Sequence, residues 1–341
     1  MKTHAIFIDP TYEVFLDDRL FDVKNKNLNR DDQLLPFARL RENFKMQGIP
    51  VHTADKLRDG SERRDINHYW SLGLLGEYKD FVGDDSIRLR GFLLMEPPIV
   101  QPKIYAELPR LTEIFEKVYL HNVDGQCYPL IAANKNRLFK LYLPQAHGEV
   151  LPEYWERKGR LNKLVAIAGS HNPQRRKPEF YSERIKAVAE LNKVKGVDLF
   201  GRGWERWWSR NALWWPYWRY RMPLMSSYHG SCISKWDVLS RYRFSLCFEN
   251  MPMAGYITEK IFDCFYAGTV PVYMGAPDID KYIPANTFVD MRNFQSYNEM
   301  LNYVKSITDE NWEEMRLAAR DFLIKSGKLE YCDSLLNIIH L

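Results

Sequence analysis

Short apolar runs alternate with helical patterns along most of the chain. The runs end at polar or turn residues, as buried strands do, and they occupy 4–9, 49–52, 89–95, 117–120, 138–143, 163–168, 197–200, 244–248 and 269–274. Apolar residues at helical spacing cover 34–46, 68–79, 105–117, 182–191, 236–242, 258–267 and 297–325. A strand, a helix and a further strand form the unit that builds parallel sheets. The pattern therefore predicts an α/β protein with Rossmann-like domains.

Length and one polar segment divide the chain into domains. A chain of 341 residues suggests two domains of ordinary size. The stretch 148–159 is polar, contains Pro152 and has the composition of a linker. We predict an N-terminal domain over 1–150, a C-terminal domain over 160–325, and a final helix within 326–341 that packs across the domains.

The stretch 243–277 carries the densest polar pattern. Its strand at 244–248 ends on Glu249 and Asn250, and a helix capped by Thr258 follows after a loop. Parallel sheets bind ligands where their strands end and the next helices begin. The polar residues of this stretch are therefore expected at a binding site.

Two helices begin with a cation, Lys260 in one and Arg184 in the other. The first turn of a helix carries partial positive charge, so a cation there is unfavourable unless an anion is bound in front of it. Free backbone N–H groups and the two cations would together hold a diphosphate. The alternative is a pair of surface cations offset by neighbouring acids, Glu259 and Asp263 for the lysine and Glu183 for the arginine.

The same stretch carries a family resemblance. The run F-E-N-x7-Y-x-T-E-K, followed by A-G-x-V-P-V-Y-x-G-A-P and Y-I-P, resembles the signature of the alpha-1,3-fucosyltransferases of glycosyltransferase family ten. The resemblance covers roughly 94–294, and the N-terminal third only loosely. It implies a GT-B fold of two Rossmann-like domains facing a cleft, GDP-fucose as donor, inversion at the anomeric carbon, and no required metal or cofactor. The donor-site residues expected from the pattern and the resemblance together are Arg184, Glu249, Asn250, Tyr256, Thr258, Glu259 and Lys260.

Glu96 is the expected catalytic base. It ends an apolar strand, and Pro97 and Pro98 prevent the strand or a helix from continuing past it. The segment M-E-P-P resembles the family's E-S-P-x-H segment, whose glutamate is the proposed base, although its Ser and His are absent here. Without the resemblance, a loop glutamate facing water is the simpler interpretation. His121 and His147 are the alternative bases.

Composition restricts the partners and the compartment. The net charge of +4 is too small to indicate nucleic acid as a partner. The scattered cysteines form no C-x-x-C pair, which favours a reducing compartment over a disulfide framework or a zinc site. No apolar stretch reaches about 18 residues, so we expect a cytoplasmic enzyme. The D-x-D at 278–280 keeps a metal-dependent alternative open, because such motifs bind metal in another glycosyltransferase architecture.

The segment 204–228 mixes tryptophan with arginine. Its tryptophans are Trp204, Trp207, Trp208, Trp214, Trp215 and Trp218. We weigh three interpretations, which are packing in the core, a stacking platform for a sugar acceptor, and peripheral contact with the inner membrane face. A non-catalytic protein that stacks on single-stranded nucleic acid is a further alternative, which the small net charge disfavours.

The acceptor is not encoded in any pattern of the sequence. An oligosaccharide or glycolipid, such as a surface polysaccharide or lipopolysaccharide, is the expected class. A transferase that uses another nucleotide sugar remains the alternative within the same fold.

Overall fold

The computed structural model describes residues 2–169, 177–206 and 215–341, without the side chain of Trp215. The chain divides into two compact units. The first unit comprises Met1–Ala146 with Leu329–Leu341, and the second comprises His147–Lys328.

The first unit contains a six-stranded parallel sheet in the order β2-β1-β3-β4-β5-β6. The strands are β1 His4–Asp9, β2 Val51–Thr53, β3 Ile66–Ser71, β4 Ile87–Leu93, β5 Lys117–Leu120 and β6 Leu138–Lys140, and the helices are α1 Leu35–Met46, α2 Asp55–Arg58, α3 Pro102–Ala106, α4 Leu108–Ile114 and the C-terminal Ser334–Ile338. The strand order reverses between β1 and β3, so a ligand crevice is expected where these two strands end.

Apolar residues of the first strand and of two helices form one core. Ile6 and Ile8 of β1 pack with Phe37 and Leu40 of α1, and Leu335 of the C-terminal helix joins the same cluster. Burial of such large apolar side chains contributes about 1.5–3 kcal/mol each to folding. The last residues of the chain therefore belong to the core of the first unit.

The helix expected over 68–79 is wrong. Residues 68–71 belong to β3, which pairs with β1 on one side and β4 on the other, and 77–79 belong to a 3-10 turn. All residues of β3 after Ile66 are buried. The strand contains the buried polar residues Asn67, His68 and Ser71, so its sequence shows neither a continuous apolar run nor a regular alternation. Gly73 and Gly76 then take positive φ values of 98° and 72°, which a helix does not allow.

The second unit contains a five-stranded parallel sheet in the order β11-β10-β9-β7-β8. The strands are β7 Leu161–Ile167, β8 Val197–Phe200, β9 Tyr242–Phe248, β10 Val270–Met274 and β11 Val289–Asp290, and the helices are α5 Pro152–Trp155, α6 Tyr181–Asn192, α7 Arg221–Ser227, α8 Lys235–Leu239, α9 Glu259–Ala267, α10 Tyr297–Ser306 and α11 Asp309–Phe322. Here the order reverses between β7 and β9, so their ends flank the expected crevice.

Shorter helical turns connect these elements. They are the 3-10 turns Glu13–Phe15, Arg19–Phe21, Arg30–Asp32, Glu77–Phe81, Lys135–Arg137, Trp215–Tyr220, Ile279–Lys281, Ala285–Thr287 and Met291–Asn293, and a kinked π-helical stretch, Leu323–Cys332. Within the described ranges, no helix is long and apolar enough to cross a bilayer.

The helix α9 places the polar stretch at the end of β9. Its apolar face, with Ile261, Phe262 and Phe265, is fully buried against the unit. Gly268 ends the helix in the left-handed conformation at φ 68°, where glycine has no Cβ penalty. The predicted strand, loop, helix and strand of this stretch are confirmed.

Candidate active site

Glu249 organises the carboxyl edge of the second sheet, the edge where its strands end. The side chain is completely buried just after β9. Its Oε1 accepts a hydrogen bond from the backbone N–H of Thr258 at 2.8 Å, and the Thr258 hydroxyl lies 2.8 and 3.0 Å from the two carboxylate oxygens. Lys260 Nζ donates to Oε2 at 3.1 Å. One buried carboxylate thus ties the end of β9 to the start of α9.

Lys260 is held as a cation at this edge. Its ammonium also donates to the Thr258 hydroxyl at 2.8 Å, and a quarter of its side chain is exposed. Burial opposes its charge, but Glu249 and Glu259 together raise its pKa. The lysine therefore presents a fixed positive charge near the surface of the edge.

The start of α9 differs from the expectation in two respects. Thr258 occupies the N-cap position, yet its hydroxyl makes no capping bond to the helix and bonds to Glu249 instead. Its backbone N–H, expected to be free for a phosphate, already has a carboxylate acceptor. A buried carboxylate needs donors, and the nearest ones are these groups. One of the N–H groups expected to hold a phosphate therefore serves Glu249 instead.

Arg184 reaches the same edge from α6. It is buried, and its Nη2 donates to the carbonyl oxygens of Phe248 at 2.7 Å and Glu249 at 3.4 Å. Burial lowers its pKa, which nearby Glu249 partly offsets. The start of α6 is occupied in the same way as that of α9, because Glu179 accepts from the Ser182 N–H at 2.9 Å.

The remaining predicted donor residues differ in exposure. Tyr256 is buried, and its hydroxyl accepts from Asn250 Nδ2 at 3.3 Å. About half of the Glu259 side chain is exposed. Although partial burial opposes its ionisation, Lys260 and Lys235 lower its pKa to about 2. Asn250, Glu259 and Lys260 thus offer accessible surface, whereas the other predicted donor residues are buried behind them.

Glu96 lies after the end of β4 in the first unit and is partly buried. Its backbone carbonyl accepts from the Tyr105 hydroxyl at 3.1 Å, and its charge adds to the effect of burial in raising the pKa of Tyr12. His121 is buried and donates from Nε2 to the Met95 carbonyl at 2.8 Å. This histidine, an alternative base from the sequence, therefore holds the backbone next to Glu96.

The other alternative base, His147, lies in the second unit. Its ring packs edge-on against Trp236 and Tyr266. Its backbone carbonyl accepts from the Tyr266 hydroxyl at 2.9 Å. These contacts are those of an aromatic packing residue.

Asp9 was missed by the sequence reasoning. It ends β1, is completely buried, and accepts from the Ser71 hydroxyl at 3.0 Å, across the point where the strand order of the first sheet reverses. Burial raises its pKa to about 6. The available signal was an aspartate at the end of an apolar strand, the same pattern that singled out Glu96 and Glu249.

The D-x-D segment has a structural explanation. Asp278 Oδ1 accepts from the Gly255 N–H at 2.8 Å and so braces the loop before α9, whereas Asp280 is exposed. Among the residues that the structure describes, no group of three His, Cys, Asp or Glu side chains could hold a metal ion.

The tryptophan-rich segment is described only in part. Trp204 is buried in the core of the second unit and donates to the Ala168 carbonyl at 3.0 Å. Trp218 is half exposed, and the Arg221 guanidinium lies 5.4 Å from the centre of its ring. Three of the tryptophans, Trp207, Trp208 and Trp214, lie outside the described residues, as do the basic residues Arg175, Arg176 and Arg210.

A family match coincides with this second sheet. Residues 159–316 match the sequence model of "Glycosyltransferase family 10 (fucosyltransferase) C-term". This segment is a family-10 glycosyltransferase domain. The resemblance inferred from the F-E-N and T-E-K residues is confirmed, and these residues lie on the carboxyl edge of the family-10 sheet.

Sequence relatives share a short segment with the chain. The alpha-(1,3)-fucosyltransferase FucT of Helicobacter pylori is 40% identical over 72 residues, which are 21% of this chain and 15% of that protein. The alpha-(1,4)-fucosyltransferase of Arabidopsis thaliana is 36% identical over 72 residues, 21% of this chain and 18% of that protein. The matched part thus spans less than a fifth of either relative.

Solved structures share the fold over most of the chain. An alpha1,3-fucosyltransferase is 16% identical with a TM-score of 0.51, covering 92% of this chain and 81% of its own. Anabaena Alr3699/HepE in complex with UDP-glucose is 10% identical with a TM-score of 0.55, covering 99% and 97%. The prediction of two parallel-sheet α/β domains of the GT-B type is confirmed.

Proposed function

We propose that this protein transfers fucose from GDP-fucose to a hydroxyl group of a glycan acceptor, with alpha-1,3 linkage and inversion at the anomeric carbon. The observation that carries the proposal is the family-10 domain with Lys260 and Arg184 at one sheet edge, both ordered by Glu249 or its backbone. A related alpha1,3-fucosyltransferase has been solved with GDP-fucose, at a TM-score of 0.50.

In this mechanism the GDP leaving group takes on negative charge as the bond to fucose breaks. Fixed cations are effective where that charge develops, because they need no reorganisation during the reaction. Lys260 supplies such a charge at the surface of the edge, and buried Arg184 adds to the local positive potential. Exposed Glu259, ionised because of Lys260 and Lys235, is the proposed contact to the sugar.

Glu96 is the proposed base that removes the proton from the acceptor hydroxyl. Its position after β4 is stiffened on one side by Pro97 and on the other by the His121 bond to Met95. An attack by the activated hydroxyl opposite to the leaving GDP inverts the anomeric carbon.

A donor panel tests the proposal. The purified protein is incubated with GDP-fucose, GDP-mannose, UDP-glucose and UDP-N-acetylglucosamine, with and without glycan acceptors, and the released nucleotide is measured. GDP-fucose should be consumed fastest and an acceptor should accelerate GDP release. Consumption of a UDP-sugar with GDP-fucose left intact would instead favour the second candidate, a transferase of the same fold with another donor, as in the UDP-glucose complex of Anabaena HepE.

We also propose that turnover needs no metal or cofactor, because protein cations already offset the diphosphate charge. Turnover in the same assay should persist in excess EDTA. Loss of turnover that manganese restores would contradict this and return attention to Asp278 and Asp280.

The proposed acceptor is an oligosaccharide or a glycolipid, with peripheral contact at the inner membrane face through the tryptophan-rich segment. Trp218 and Met222 are four residues apart and are exposed, 53% and 76%, among basic residues. The protein should cosediment with anionic vesicles and be released by salt. Replacing Trp214, Trp215 and Trp218 with Ser should reduce cosedimentation, while Ile233→Ser, at another exposed apolar residue, should not. Absence of cosedimentation at low salt would exclude membrane contact.

A further inference from the structure

A charged cavity lies in the family-10 domain, at the edge where the strands begin. Its volume is about 820 Å³. Arg160, directly before β7, and Arg243, at the start of β9, both line it, together with Trp312 and Arg316 of α11. The cavity is therefore at the opposite edge of the sheet from Glu249 and its partners.

Three guanidinium groups surround one aromatic ring in this cavity. Their central carbons lie 4.9 Å (Arg243), 4.5 Å (Arg316) and 5.7 Å (Arg160) from the centre of the Trp312 ring. Trp155 adds a second face, 4.2 Å from Arg316. Aromatic faces attract cations and fix their orientation, so the positive charges are concentrated and ordered here.

The lining carries more positive than negative charge. Its cations are Arg157, Lys158, Arg160, Arg243 and Arg316, and its carboxylates are Glu156, Asp309 and Glu313. Burial and the repulsion of neighbouring arginines also lower the pKa of Arg160 to about 9. An excess of cations at this spacing is unfavourable by itself and is relieved when an anion binds.

Two of the arginines serve the fold. Arg160 Nη2 donates to the carbonyls of Trp155 and Ala267 at 3.1 and 2.8 Å, and Arg316 Nη2 donates to Trp155 at 2.6 Å. Both guanidinium groups pack against the end of α9. A Cβ on Gly268 would stand 2.8 Å from Arg316 Nη2 and 3.1 Å from Arg160 Nη2. Arg160 and Arg316 therefore supply fixed positive charge, and a ligand must form its hydrogen bonds with other cations of the cavity.

Arg243 and Lys158 are the groups available to a ligand. Arg243 Nη1 donates at 2.7 Å to Asp309, whose side chain is 85% exposed, and its buried Nε–H has no acceptor among the described residues. Lys158 is exposed on the rim. The Asp309 carboxylate is solvated and stays hydrated when it releases Arg243, so another anion can replace it at small cost.

We propose that this cavity binds a phosphate or phosphate ester, independently of the donor site. A doubly charged oxyanion suits the site better than a single carboxylate, because the guanidinium fork and the rim lysine can share its several oxygens. The ligand would replace Asp309 beside Arg243 and contact Lys158, with the buried arginines behind it.

Calorimetry at constant ionic strength tests the proposal with pyrophosphate as the probe. Titrations use wild type and the Lys260→Ala variant, which lacks the accessible cation of the proposed donor site. Glycerol 3-phosphate represents phosphate esters, and glucuronate represents carboxylates. Both phosphate probes should bind Lys260→Ala and glucuronate should bind more weakly. If no phosphate probe binds that variant, or glucuronate binds as tightly, the proposal is overturned while the donor-site proposal stands.

Two substitutions in the cavity should change the affinity for pyrophosphate in opposite directions. Arg243→Gln should weaken pyrophosphate binding about tenfold. Asp309→Asn removes the competing carboxylate and should tighten it about threefold, a gain that a purely structural role does not produce. Lys305→Gln, at an exposed lysine outside the cavity, is the matched control. If Arg243→Gln does not fold, Lys158→Gln replaces it. The proposal is overturned if pyrophosphate binds with unchanged affinity both to Asp309→Asn and to the variant that lacks Arg243 or Lys158.

Discussion

The carboxyl edges of the two sheets carry different ionisable groups. Both are parallel and both reverse their strand order, between β1 and β3 in the first unit and between β7 and β9 in the second. Where the first reverses, the Asp9 carboxyl group is buried, and Glu96 follows β4, the neighbour of β3. Where the second reverses, Arg184 and Lys260 meet around Glu249. Topology thus fixes where polar groups collect, and residue type decides whether a site favours a cation or an anion.

Buried carboxylates at the two edges have different partners. Asp9 accepts from a hydroxyl, that of Ser71, and its pKa rises to about 6 because burial disfavours its charge. Glu249 accepts from an ammonium, a hydroxyl and a backbone N–H, and in return raises the pKa of Lys260. The second edge therefore contains the Glu249–Lys260 ion pair, whose ammonium is partly exposed. The first contains the Asp9 carboxyl group, which is protonated more readily than an exposed aspartate.

The largest expected effect tests the acidic edge. Glu96→Gln should lower transfer to the acceptor by about 10²–10⁴-fold, the usual contribution of a positioned base. The affinity for GDP-fucose should stay unchanged, because the amide keeps the size of the carboxylate. Turnover of the purified variant is compared with that of Glu113→Gln, an exposed glutamate of α4. Near-normal transfer by Glu96→Gln would remove it as the base.

A second test measures how much the ionisation of buried Asp9 lowers the stability of the first unit. The folded state raises the Asp9 pKa from 3.8 to about 6, so it binds the proton more tightly than the unfolded chain does. Stability should fall as pH rises between these values, by about 3 kcal/mol if the whole shift is realised. Asp9→Asn should remove this slope and raise the free energy of unfolding at pH 7.5, with little change at pH 3.5.

Denaturant unfolding at the two pH values checks this expectation. Asp65→Asn, at an exposed aspartate whose pKa is lowered by Thr3, should behave oppositely and lose a little stability at pH 7.5. If Asp9→Asn changes the free energy of unfolding equally at both pH values, the fold does not raise the pKa of Asp9. A loss of stability confined to pH 7.5 would show that Asp9 stabilises the fold as a carboxylate.

The third test addresses the cationic edge. Lys260→Ala should weaken GDP binding about tenfold or more, since a charge-assisted hydrogen bond contributes about 1.5–3 kcal/mol. Arg184→Ala should also weaken it, through the loss of a buried positive charge at the same edge. Lys186→Ala, at a lysine of α6 paired with Glu183, is the control. Calorimetry with GDP gives the affinities, and circular dichroism checks the fold. Wild-type affinity in both variants would show that the cations do not hold the diphosphate.

The sequence predicts the strands and helices that carry the site but not the hydrogen bonds among its buried residues. The strands at 4–9, 117–120 and 197–200 have the predicted bounds, because each is a compact apolar run between polar residues. The strand β3 was missed because buried polar residues, Asn67, His68 and Ser71, interrupt its apolar run. That Glu249 would take the N–H of Thr258 depends on contacts between residues nine apart across a loop, and no local pattern encodes them.

The smallest expected effect decides whether the buried network holds Lys260 in place. Thr258→Val keeps the shape of the side chain but removes the hydroxyl that lies between Glu249 and Lys260. The loss should cost about 1 kcal/mol of stability and raise the KM for GDP-fucose severalfold, with a smaller change in kcat, because the ammonium loses one of its two acceptors in the network. Thr258→Ser retains the hydroxyl and should restore both values. If valine and serine variants share the same KM, the hydroxyl plays no part in positioning the lysine, and the cationic edge is held by the Glu249 ion pair alone.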